Sequence, residues 1–171
     1  MKRLLLLAIV MLGLSPLNAL AEAPNTLSVD VFQDGTTFFA SNGTQRGSTF
    51  IITGYLYPGG TIKDSSFNPL VHSTERTGKF LCRGTFTGNG FEAFVTQEYF
   101  ISSDSNAIIV VGTEPDGATS SGQQAVVGGT GKYGNLGGQV KTTRLGFNIT
   151  NIFSLRSEFH FRPGQPQTPT D

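Results

Sequence analysis

From residue 26 onward, apolar positions recur at every second residue rather than every third or fourth. "TLSVDVF" (26–32) alternates apolar and polar side chains, as a strand with one buried face does. "STFIITGYLY" (48–57) is rich in β-branched and aromatic residues and stops at Pro58-Gly59-Gly60. "GKFLCRGTF" (78–86) runs into Gly88-Asn89-Gly90, a strong turn signal. Further strand patterns span 91–101, 107–112, 124–128, 138–147 and 151–161, separated by turns rich in Gly, Pro, Asn, Asp and Ser. No segment keeps a capped 3.6-residue period, so the pattern predicts an all-β chain with little helix.

Many short strands with Gly-rich turns form a sandwich or a closed barrel. In 151–161, Phe153, Leu155, Phe159 and Phe161 share one face; Ser154, Arg156, Glu158 and His160 share the other. Phe80, Cys82, Gly84 and Phe86 likewise oppose Lys79, Arg83 and Thr85. Phenylalanine is therefore expected inside, with Phe80, Phe153 and Phe159 as ligand-contacting candidates. An eight-stranded barrel can be filled by side chains or can hold one small molecule.

The segment 91–101 does not resolve in this way, because both of its faces are mixed. If Phe94, Thr96, Glu98 and Phe100 face inward, Glu98 is a buried acid and Phe94 and Phe100 line the ligand. If Val95, Tyr99 and Ile101 face inward, Glu98 is a surface residue. Tyr55 and Tyr57 share a face with Ile51 and Thr53, either lining the mouth or packing. The candidate catalytic set is Glu98, Tyr55 and Tyr57, with Asp30 and Asp34 as further acids near the first strand. A carboxylate can act as acid or base once burial raises its pKa, and a tyrosine can donate a hydrogen bond.

The N-terminus changes the picture of location. Lys2 and Arg3, the apolar run Leu4–Leu14 and Ala19-Leu20-Ala21 have the form of a secretory signal peptide over 1–21. A barrel domain over 22–161 and a disordered Pro-rich tail over 162–171 follow, and the domain is expected to be secreted or periplasmic. Formal charge is 12 minus 12, or zero; without Lys2 and Arg3 it is 10 minus 12, or −2. Neither value suggests a nucleic-acid partner. One cysteine allows no internal disulfide. Asn42-Gly43-Thr44 and Asn148-Ile149-Thr150 are sequons that matter only in a glycosylating host.

"AVVGGTGKYGNLGG" (125–138) holds Gly129, Gly131 and Gly134 at G-x-G-x-x-G spacing. A β-type run follows it, so no helix N-terminus is available for a pyrophosphate. A phosphate loop also fails, since Tyr133 follows Lys132 and Val126 stands where a glycine is required. No nucleotide partner is expected. Two histidines and one cysteine at unsuitable spacing give no metal site, and Cys82 on an apolar face reads as a small core residue.

"AVVGGTGKYGNLGGQV" resembles the "VVGGTGKF…ARG" segment of plant dirigent proteins and of the wider barrel family that includes allene oxide cyclases. "RGSTFIITGYLYPGGTI", "TGKFLCRGTF" and "FVTQEYFI…AIIVVGTEP" resemble that family's strands at pattern level, so the likeness spans roughly residues 26 to 161. It implies an eight-stranded antiparallel barrel, a hydrophobic pocket, no cofactor, and assembly as a homotrimer or homodimer. It also implies that the glycine segment is a hairpin. Three functions follow: a cofactor-independent cyclase, isomerase or stereochemical guide acting on a small hydrophobic molecule; a non-catalytic carrier; or a filled, structural envelope barrel. A buried carboxylate in an open cavity would single out the first.

Overall fold

The computed structural model describes residues 25–38, 43–88 and 90–162. Its strands are β1 (Thr26–Phe38), β2 (Thr49–Pro58), β3 (Gly78–Phe86), β4 (Ala93–Ile101), β5 (Ala107–Glu114), β6 (Ser121–Gly129), β7 (Gly137–Phe147) and β8 (Phe153–Arg162). Each pairs antiparallel with the next, and β8 returns to β1 with Val31 opposite Leu155. The sheet is a closed eight-stranded barrel, which leaves no strand edge to protect. Helix is confined to two single 3₁₀ turns, Ser73–Glu75 and Gly131–Tyr133, among the described residues.

The strand pattern differs most from expectation at two places. β1 continues to Phe38 rather than ending near Phe32, because a bulge between Gln33 and Gly35 shifts its register and breaks the alternation. β6 begins at Ser121, where "SGQ" carries no apolar signal. The expected leader (1–21) lies outside the described residues, as does the tail beyond Arg162. Arg162 itself is the last residue of β8, opposite Gly137.

The interior is layered. At one end Tyr133, Phe161 and Ile101 form a plug. The glycine segment builds it: Gly131 adopts φ +56°, which lets the chain turn beneath Tyr133. Thr130 Oγ1 accepts from Ala107 N (3.0 Å) and donates to Ser105 O (2.8 Å), which ties the turn to the β4–β5 loop. In the middle, Tyr99 meets Phe80 and Phe159 edge-on at 5.1 and 5.0 Å. Each buried aromatic side chain contributes about 2–3 kcal/mol. Gly84 lies under the Phe50 ring, where a Cβ would collide with it.

A strap, residues 59–77, covers part of the outer wall. Ile62 and Phe67 pack on Phe32 and Tyr57 in a second apolar cluster. Beneath it lies Asp30, fully buried. Its Oδ2 accepts from Gly60 N (2.9 Å) and Ile62 N (2.8 Å), and its Oδ1 accepts from Arg156 Nε (2.8 Å). Asp30 is thus a satisfied structural carboxylate on the outer wall, not a pocket acid. The partnership holds the Arg156 guanidinium above its ordinary pKa. At the other end, the Asn148 side-chain amide donates to Gln33 O (2.9 Å), joining the β7–β8 turn to the β1 bulge.

Candidate functional site: a phenylalanine-lined barrel mouth

Among the described residues, the end of the barrel opposite the plug holds a cavity. Phe50 and Ile52 of β2, Phe86 of β3, Phe147 of β7 and Phe153 of β8 converge there with Phe91 from the β3–β4 loop. They enclose a cavity of about 370 Å³, with Thr44 and Asn151 as its polar contribution among the described residues. Phe147 stacks on Phe153 at 4.6 Å, and Phe91 meets Phe153 edge-on at 5.1 Å. These are the offset and perpendicular geometries that aromatic quadrupoles favour.

Behind this wall lies a buried polar network. Arg144, on the inward face of β7, places its guanidinium 4.4 Å from the Phe153 ring centre. It donates to Glu114 Oε2 (3.1 Å), Phe91 O (3.0 Å) and Gly117 O (3.0 Å). Gln97 donates to the other Glu114 oxygen and accepts from Tyr99 Oη, which also contacts Ser157 Oγ at 2.9 Å. Burial pushes the Tyr99 phenol well above its usual pKa, so it stays a neutral donor. Burial likewise raises the Cys82 thiol beside Gln97, so this cysteine lacks the thiolate a nucleophile needs. Asp116 fixes the loop from outside: its Oδ1 accepts from Phe91 N (2.9 Å) and Gly117 N (2.8 Å), and those bonds lower its pKa.

The closed barrel has counterparts among solved structures. Two pterocarpan synthase dirigent proteins superpose with TM-scores of 0.62 and 0.64 at 15% and 13% identity. These cover 82% and 92% of this chain and 95% and 100% of theirs. The chain has the dirigent-like barrel fold. A pyocyanin demethylase also superposes, with a TM-score of 0.54 and 21% identity over 80% of this chain and 99% of that one. At these identities the likeness is one of architecture. No protein-family profile matches the sequence, and neither does any curated protein.

This dirigent-like barrel disperses the residues singled out from sequence. On β4 the inward face is Ala93, Val95, Gln97, Tyr99 and Ile101. Glu98 therefore points outward and forms a surface ion pair with Arg83, so the condition for a buried acid is not met there. Phe94 is half-exposed on the same outer face, and Phe100 lines an external groove with Tyr55. Tyr57 lies under the strap, where burial raises its phenol pKa. Phe80 and Phe159 do face inward, but they fill the barrel's middle against Tyr99. Phe153 alone of the set lines the mouth.

Sequence patterning does not single out the charged pair Glu114–Arg144. Glu114 stands in "GTEPDG", which reads as a turn, and its partner is 30 positions away. A signal did exist at Arg144. It shares the alternation of Val140 and Thr142, an apolar-led face that a surface arginine would not occupy.

Proposed function

We propose that this barrel binds a small hydrophobic, ring-containing molecule in its mouth and orients it, as a stereochemical guide or carrier. The observation behind the reading is the 370 Å³ cavity walled by Phe50, Phe86, Phe91, Phe147 and Phe153. Its volume falls within the range of small-molecule sites, and aromatic walls restrict the pose of a flat ligand. Among the described residues no ionisable side chain lines this cavity, which favours positioning over acid–base chemistry. The superposing proteins, pterocarpan synthases and a pyocyanin demethylase, lend this reading support by analogy of fold.

A second reading, cofactor-independent cyclisation or isomerisation, rests on Glu114. This carboxylate lies one ring behind the cavity, with Arg144 between it and Phe153. The proposal includes a location outside the cytoplasm, which the signal-like pattern of residues 1–21 supports, and assembly as a homotrimer or homodimer.

Native mass spectrometry of the protein, isolated gently from its own host, tests the reading. A co-purifying small molecule is expected, lost or weakened in Phe91→Ala. Bare protein that also ignores a panel of phenols and fatty acids would overturn it in favour of a filled structural barrel. Turnover of the captured molecule that disappears in Glu114→Gln would move the assignment to the enzyme.

A further inference from the structure

A second cavity system lies outside the barrel, on the wall made by β2, β3 and β4. One groove of about 570 Å³ has Tyr55, Leu81 and Phe100 as its apolar floor. It adjoins a second of about 450 Å³, with which it shares Lys79, Phe100 and Asp104 and which Arg76 and Thr77 also line. Neither takes part in the mouth.

Arg76 stands where the two meet. Its guanidinium lies 3.8 Å over the Tyr55 ring. Nε donates to Tyr57 Oη (3.3 Å) and Nη2 to Pro69 O (3.0 Å), both neutral acceptors. Among the described residues no carboxylate pairs with it. Glu75 is engaged by His72, Asp104 by Lys79, and Asp34 accepts from Thr53 Oγ1. The result is a cation held in one orientation, with its charge uncompensated and a donor edge left over. Beside it Thr77 lines the second groove. A fixed guanidinium suits an anion that offers two neighbouring oxygens, such as a carboxylate or sulfonate. Asp34 sits at the Thr53 end of the groove, so an anionic group is directed to the Arg76 end.

We propose that this outer groove binds a small organic anion, with its apolar or aromatic body on Tyr55, Leu81 and Phe100 and its acidic group on Arg76. The inference is independent of the mouth.

The test titrates the full chain with 8-anilinonaphthalene-1-sulfonate and, in parallel, with N-phenyl-1-naphthylamine, which keeps the rings and lacks the sulfonate. Arg76→Gln should weaken the sulfonate probe roughly tenfold, the scale of one charge-assisted hydrogen bond, and leave the neutral probe unchanged. Thr53→Trp, at an exposed groove position, should block the sulfonate probe without disturbing the fold. Phe91→Ala should leave it unaffected. Three results would overturn the proposal. These are a sulfonate probe indifferent to both groove variants, one displaced by the mouth variant, and a native mass that Thr53→Trp changes, which would make this wall a contact between copies.

Discussion

The Arg144 guanidinium carbon lies 4.4 Å from the centre of the Phe153 ring. The inner wall of the mouth therefore leans on a buried cation, whose charge is matched by Glu114 at 3.1 Å. Removing one member strands the other where water has little access, with Arg144 5% and Glu114 13% exposed. Arg144→Met is expected to cost about 3–5 kcal/mol, the scale for breaking a buried pair from one side. Adding Glu114→Gln should restore part of that. Urea unfolding of the two single variants and the double variant measures the coupling. Single changes costing under about 1 kcal/mol would mean that the pair does not support the mouth.

Asp116 gives the Phe91 loop a pH dependence. Its carboxylate accepts two backbone hydrogen bonds, and its pKa is lowered in the folded protein. The charged form is the one those bonds stabilise, so the contribution is complete above the ordinary aspartate range near about 4. It fades as pH falls through the lower folded value. The Phe91 amide resonance should shift over that acidic interval in the wild type and stay flat in Asp116→Asn. An identical titration in both proteins would remove Asp116 from the account.

The strap offers an ordering test. In Asp30→Asn the surviving Arg156 is about a third exposed and can turn toward water. In Arg156→Ala the surviving Asp30 stays fully buried, with only the Gly60 and Ile62 amides as partners. Arg156→Ala should therefore destabilise more, by about 2–4 kcal/mol, and should open residues 63–75 to limited proteolysis sooner. Equal losses, or an unchanged cleavage pattern, would contradict the view that this pair anchors the strap.

The fold was legible wherever one strand face was uniformly apolar. β8 and β3 could be oriented from Phe153, Leu155, Phe159 and Phe161, and from Phe80, Cys82 and Phe86, because alternation there coincides with burial. β4 was not legible, since its inward face carries Gln97 and its outward face carries two phenylalanines. A polar network inside and an apolar groove outside erase the usual contrast between faces. The mouth was hidden for a different reason. Phe91 is in a hairpin loop and Phe147 closes a strand, so neither stands at a position where alternation is informative. Their meeting with Phe153 is a property of barrel closure, which only long-range pairing creates.

The Asn148 side-chain amide is spent on the Gln33 carbonyl, and Thr150 Oγ1 donates to the same oxygen at 3.0 Å. The sequon residues are thus the clasp that fastens the β7–β8 turn to the first strand. Asn148 is buried in that clasp, so a glycan on its amide nitrogen has no room while the clasp is fastened. In a glycosylating secretory host, oligosaccharide transfer would race against folding at this one nitrogen, and the glycosylated fraction would count the chains that had not yet closed.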